Sequence, residues 1–330
     1  MTHVSPPMTP STVLPAALSA SPALTRIHHR GMLKAGTSAG IKGLSVHTDD
    51  GCKGMDADFG RALSAVIFAD HRPVAFEIVN PDERFSALAA ESIDIGLYNA
   101  SKTLSRELQN AVTFPVVTLV DGEAVLTQRH NAEKTFSTWQ DLVIAVQGGT
   151  TSAGNIDAYR SGRPATIRPF ETLADAVSAL VSGDVDAVVF DAIGLAGVLS
   201  DLEDPQQLVI LDERISRELM GPVVPVEDPI FARLVEWTFA ALVRATELGV
   251  TADRVTDTAC TARQDAFLAA GLPLWPRDPM AAQRLRAMLQ STGNYQEIFD
   301  RNLGRFSDLK LPRGLNAPSA DGGIFHPAPF

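Results

Sequence analysis

Lysine and arginine are absent from the first 24 residues, while Pro6, Pro7, Pro10, Pro15 and Pro22 interrupt that stretch repeatedly. A secretory signal needs a charged start and an unbroken apolar run, so residues 1–25 read as a disordered lead-in, not an export signal. Cysteine is scarce too. Cys52 and Cys260 are the only two of the 330 residues, and their spacing suggests no pairing, which excludes a disulfide framework. No apolar run approaches eighteen residues, so no membrane insertion is expected. Basic residues number 28 against 39 acidic ones, and the net charge of -11 excludes nucleic acid as a partner, because phosphate binding needs a positive face. His28, His29, His47, His71, His130 and His326 lack metal-ligand spacing, and no Gly-x-Ser-x-Gly elbow or dinucleotide fingerprint occurs. Gly36 to Lys42 is glycine-containing but lacks the end of a phosphate loop. No cofactor and no metal are expected.

What is present points to small-molecule recognition. Hydrophobic residues make up 45% and charged residues 20%, enough for a substantial core. Strand patterns at 32–37, 74–79, 93–97, 143–147, 166–169, 186–190 and 208–211 alternate with amphipathic helices at 56–68, 82–90, 153–161, 172–182, 229–248 and 281–290. Such alternation means βαβ units and an α/β fold with largely parallel sheets. A chain of this length favours two lobes. Val116 to Leu126 and Glu218 to Val226 are extended apolar segments suited to carry the chain between them. Lobe one is then expected at 26–120 plus 223–330, and lobe two at 121–222.

After the strand ending at Leu97 come Asn99, Ser101 and Arg106. A guanidinium offers a planar fork that fits a carboxylate bidentately, and the short polar side chains can complete the cradle. After the strand 143–147, Gly148-Gly149-Thr150-Thr151-Ser152 reads as a turn into a helix, whose free N–H groups make an anion site. Asp191 ends a further strand, where an open α/β sheet presents ligand-contacting groups. Alternatively, Asp191 simply caps the following helix. An arginine and a helix N-terminus for a carboxylate, with an aspartate for an ammonium, describe a receptor for a free α-amino acid.

These residues carry a family resemblance. Arg30-Gly31-Met32-Leu33-Lys34, Asp56 to Ala62, Glu83 to Leu88, Thr103-Leu104-Ser105-Arg106, Gly149-Thr150-Thr151, Gly293 to Phe299 and Arg313 to Ala317 fall in the order found in type II periplasmic solute-binding proteins. The branch resembled serves general L-amino acid ABC transporters, and the similarity spans about Thr25 to Phe330. It implies a two-lobed fold with a cleft between the lobes. It also implies that Ser101, Arg106 and Thr151 hold the ligand carboxylate and that Asp191 holds its amino group. An ABC permease is the implied partner if the chain is exported.

Three departures modify that expectation. The lead-in lacks a signal. The disulfide that the branch carries across its second lobe falls on Ala145 and Val185 here. Together these favour the cytoplasm, with the periplasm as the alternative if the start codon is misassigned. In the loop that lines the family's side-chain pocket stand Lys42 and Leu44, and Lys102 replaces a frequent tryptophan. Lys42, Leu44 and Lys102 are therefore expected around the ligand side chain, with the two lysines reading an acidic group or transferring a proton. The second use makes a lyase-type cytoplasmic enzyme the alternative function, with Lys42 and Lys102 as its catalytic candidates.

Overall fold

A computed structural model describes residues 18–257, 260–327 and 329. The chain opens with α1 (Pro22–Arg30), β1 (Leu33–Thr37) and a hairpin of β2 (Val46–Thr48) and β3 (Gly51–Lys53). It continues through α2 (Met55–Phe68), β4 (Val74–Ile78), α3 (Arg84–Ala89), β5 (Ile95–Leu97) and α4 (Leu104–Asn110). β4, β1 and β5 pair in that order as a parallel sheet. The chain then crosses by β6 (Val112–Thr113) and β7 (Leu119–Asp121) into β8 (Glu123–Gln128). A second sheet is built from β8, β9 (Val143–Gln147), β10 (Thr166–Phe170), β11 (Ala187–Asp191) and β12 (Leu208–Ile210). Helices α5 (Ser152–Arg160), α6 (Leu173–Ser182) and α7 (Ala192–Asp201) connect its strands. The return runs by β13 (Glu218–Met220) and β14 (Val224–Pro225), paired antiparallel with β7 and β6. Four helices finish the chain: α8 (Pro229–Leu248), α9 (Ala262–Ala270), α10 (Ala281–Thr292) and α11 (Tyr295–Asn302).

The second sheet shows why its strands read as unbroken apolar runs. Along β11, Val188 and Phe190 enter one core while Ala187 and Val189 enter the other. Successive side chains point to opposite faces, and here both faces are covered. Ala145 and Val185, the positions of the missing disulfide, are both buried apolar members of one of these cores. The first sheet instead shares one large core with α2 and the C-terminal helices. Arg284 of α10 ties that core together. It donates to the carbonyls of Val66 (2.8 Å) and Ile67 (2.5 Å) in the last turn of α2, and it pairs with the buried Asp278 (3.3 Å). The carbonyls that end α2 have no partner within the helix, and a cation there opposes the negative end of the helix dipole.

The N-terminal expectation needs correction. Residues 1–17 lie outside the described residues, but 18–25 are ordered structure and not a disordered lead-in. Ser21 caps α1 through the Leu24 N–H (3.1 Å), and Pro22 occupies the first turn, where a missing N–H costs nothing. Asp228 accepts from the Ser21 hydroxyl (2.7 Å) and the Ala23 N–H (2.9 Å), fastening α1 to the start of α8. No helix among the described residues is long and apolar enough to cross a membrane.

Candidate functional site

The C-terminal ends of β1 and β5 form one wall of a cleft. Asn99 follows β5 with φ 48, a left-handed conformation that asparagine tolerates better than most residues. Its carbonyl oxygen Oδ1 accepts from the buried Ser38 hydroxyl (2.8 Å). Its Nδ2 donates to Asp191 Oδ2 (3.0 Å), at the end of β11 on the other sheet. Asp191 stands in the cap position of α7, yet its side chain makes no capping hydrogen bond. The bond across the cleft replaces it.

Arg106 lies in the first turn of α4. The cap residue Thr103 accepts the Arg106 N–H (3.3 Å), and Arg106 Nη1 donates to the Ser101 carbonyl (2.7 Å). The guanidinium lies 6.0 Å from the Phe85 ring centroid. Burial lowers its proton affinity, while Glu218 and Asp191 oppose that shift.

The opposite wall is the turn from β9 into α5. Thr150 donates to the Gln147 carbonyl (2.8 Å) and closes the turn. Thr151 occupies the cap position of α5 without a side-chain capping bond. Gly149 has φ 70, and a Cβ there would lie 2.2 Å from Asp82 Oδ1 of the other lobe. A side chain there would be strained by that backbone and would have to displace the exposed Asp82 side chain. The two lobes are thus in contact and the cleft is closed.

Beneath the turn is a buried acidic network. Glu123 accepts from the Ser152 hydroxyl and from Asn155 Nδ2 (2.8 Å). Glu218 accepts from Asn155 Nδ2 (2.9 Å) and from the Ser216 hydroxyl (2.6 Å). Asp121 accepts the Ile193 N–H (3.0 Å). Burial, then the neighbouring Asp121, Glu123 and Glu218, push the Asp191 carboxyl well above the usual range, and its bond to Asn99 only partly opposes them. Burial likewise raises Asp121 to about 6. An arriving ammonium would relieve this crowding of carboxylates.

The structure also reveals groups that sequence spacing did not single out. Arg84, at the start of α3, is 7% exposed and donates Nη2 to the Ser38 hydroxyl (3.0 Å). It stacks 5.0 Å from the Tyr98 ring centroid, and its buried Nε has no partner. Burial lowers its pKa to about 10, with Arg106 contributing, so it stays cationic at neutral pH. Asp56, in the first turn of α2, has a buried Oδ2 without a partner and is pushed up to about 8 by burial against the pull of Arg84. An arginine after Pro81-Asp82-Glu83 looks like a solvated turn residue, and only the tertiary fold buries it.

Three expected side-chain-pocket residues are corrected. Lys42 runs along α7, its Cβ opposite Gly197, and Nζ reaches Asp201 (2.5 Å), Ser200 (3.0 Å) and Asp308 (3.4 Å) at the outer rim. Acidic groups at a helix C-terminus draw it outward. Lys102 follows Ser101 in extended backbone, so it points the other way, with Nζ donating to the Phe114 carbonyl (3.1 Å). Leu44 is 1% exposed within the first core. The lysines suggested for proton transfer thus engage other groups, Lys42 the acidic rim and Lys102 the Phe114 carbonyl and Glu107 (3.9 Å), and no contact with Asp191 or Arg106 among the described residues supports the lyase alternative.

No family model matches the chain. Curated relatives do. The General L-amino acid-binding periplasmic protein AapJ of Rhizobium johnstonii is 31% identical over 325 residues, covering 95% of this chain and 94% of that protein. The Glutamate/glutamine/aspartate/asparagine-binding protein BztA of Rhodobacter capsulatus is 28% identical, covering 96% of each chain. Among solved structures, an ABC transporter/periplasmic binding protein from Brucella ovis with glutathione bound superimposes with a TM-score of 0.84 at 32% identity, over 93% of this chain and 98% of that one. AapJ and the Brucella ovis protein are described as periplasmic, and the cytoplasmic expectation finds no support in them.

Proposed function

We propose, from the premise that the chain belongs to the amino-acid-binding solute-binding proteins of ABC transporters, that it encloses a free α-amino acid between its lobes for delivery to a membrane permease. Arg106, Ser101, Thr150, Thr151 and the α5 N-terminus take the carboxylate, and Asp191 with Asn99 takes the ammonium. We take lobe one as 26–120 with 223–330 and lobe two as 121–222, with the paired crossings β6–β14 and β7–β13 as the hinge. The periplasmic residence of the named relatives favours the periplasm as the working compartment.

The preferred ligand carries a second acidic group or its amide, read by Arg84. The observation behind this is the chain of contacts Arg84–Ser38–Asn99–Asp191, which sets a second buried cation beside Arg106 within one cleft. The naming of BztA for glutamate, glutamine, aspartate and asparagine agrees with it. Calorimetric titration with glutamate, glutamine, aspartate, asparagine and leucine tests the reading. Arg84→Met should cost glutamate about tenfold or more in affinity and leave glutamine much less affected, since a hydrogen bond to a charged group contributes about 1.5–3 kcal/mol. Failure of every amino acid to titrate would overturn the function. Equal losses for glutamate and glutamine would overturn only the role of Arg84.

A further inference from the structure

Beside the hinge lies a cavity of about 590 Å³, lined by none of the residues assigned to the amino acid. Val120 and Asp121 of β7 form one wall, Ile193 of α7 a second, and the C-terminal segment 311–316 a third. Three arginines line it from two directions. Arg214 and Arg217 come from the loop between β12 and β13, and Arg313 comes from the C-terminal segment.

These arginines are poorly neutralised. Among the described residues Arg313 forms one ion pair, with Asp321 at 3.8 Å, and its Nη1 is buried without a partner. Arg217 makes no hydrogen bond or ion pair among the described residues. Arg214 donates only to backbone carbonyls, those of Leu211 (3.1 Å) and Glu213 (3.4 Å). Of the carboxylates at the cavity, Asp121 feels the charge of Arg214 without a hydrogen bond to it among the described residues. Asp121 is engaged by the Ile193 N–H, and Asp212 is exposed. Arg214 and Arg217 are exposed and hydrated, but the buried, unpartnered Nη1 of Arg313 beside them, at a cavity of this size, is a donor that an anionic ligand would satisfy.

We propose that this cavity is a second binding site, for a small polyanion bearing several carboxylates or phosphates, held by Arg214, Arg217 and Arg313. Such an anion bridges the returning chain of the second lobe and the C-terminal segment packed on the first. It therefore favours the arrangement in which those walls face one another, which is the closed cleft. Linkage requires that an anion favouring closure also tighten amino-acid binding.

The test titrates the full chain with citrate and, separately, with pyrophosphate, with and without saturating amino acid. Saturable binding of at least one is expected, and the arm that responds distinguishes carboxylate from phosphate chemistry. Arg217→Met and Arg313→Met should weaken it about tenfold each, the loss expected when a charged partner is removed from a paired anion. Amino-acid binding without the anion should be unchanged in both variants, which also shows that they fold. Arg217 is exposed, so that variant stands even if Arg313→Met proves unstable. The bound anion should raise amino-acid affinity about fivefold, at the lower end of usual couplings. Absence of saturable binding by either anion, or binding indifferent to Arg217→Met, would overturn the site. Saturable binding that leaves amino-acid affinity unchanged would overturn its link to closure.

Discussion

Asn99 and Asp191 meet across the cleft at 3.0 Å, the amide of one lobe donating to the carboxyl of the other. They are 92 residues apart in sequence and sit at the C-terminal ends of strands in different sheets. Removing the amide should therefore act on closure before it acts on folding. Asn99→Gly, which keeps the left-handed backbone at φ 48 without strain, is expected to populate a more open form without ligand, with a larger radius of gyration in solution scattering and a little-changed melting temperature. An unchanged radius would mean that other contacts hold the lobes together.

Arg106→Ala should weaken amino-acid binding by at least about 2 kcal/mol, because a desolvated carboxylate loses a charged donor. Calorimetry on the purified protein reads this directly. Affinity that survives both Arg106→Ala and Asp191→Ala would remove the carboxylate and ammonium assignments together.

Binding should also depend on pH, with a sign fixed by Asp191. Its carboxyl is raised in the ligand-free cleft, and an ammonium beside it would lower it again. In the pH range between those two values the free protein holds a proton that the complex does not. Binding then releases a proton, and affinity rises with pH until Asp191 is ionised in both states. Titrations in buffers of different ionisation enthalpy would report that proton. Affinity that falls as pH rises across that range would contradict the assignment.

Lys42→Met and Lys102→Met are expected to change amino-acid affinity by under about 1 kcal/mol each, as for other ion pairs near the surface. Lys42 serves the rim through Asp201, and Lys102 serves the Phe114 carbonyl. A selective loss of acidic ligands in either variant would return that lysine to the pocket.

Stability offers a test away from the cleft. Arg284→Met strands the buried Asp278 and uncaps the last turn of α2. A loss of about 3–5 kcal/mol is expected on breaking a buried pair from one side, visible as a marked fall in Tm. A Tm close to that of the parent chain would show that Arg284 is not a fastening point.

The fold was legible because its periodicities are strong. β9, β11 and α8 announce themselves through buried apolar runs or a long amphipathic stripe. The placement of Arg106 and Asp191 was legible for a related reason, since Asp191 ends a strand that leads into a helix and Arg106 lies in the first turn of a helix after one. Side-chain direction in a loop has no comparable signal. Spacing could not tell that Lys42 would follow α7 outward or that Leu44 would turn into the core. Arg84 was invisible because its burial depends on Ser38 and Tyr98, which lie 46 and 14 residues away. At the N-terminus, Ser21-Pro22 is a helix start hidden among prolines that break other segments.

The last four helices all contribute side chains to the core of the sheet whose strands are made first. Phe239 of α8, Tyr295 of α11 and Phe325 stack on one another at 5.1–5.2 Å, and Phe239 meets Phe59 of α2 at 6.4 Å. The five-stranded sheet, by contrast, is contiguous from Glu123 to Ile210. A folding chain can therefore complete its middle lobe from nearby segments while the earlier one still waits for its C-terminal cover. Contacts close in sequence form before those that must close long loops. Capture of ligand is then the last step of folding, reached once the C-terminal helices have docked on the first core.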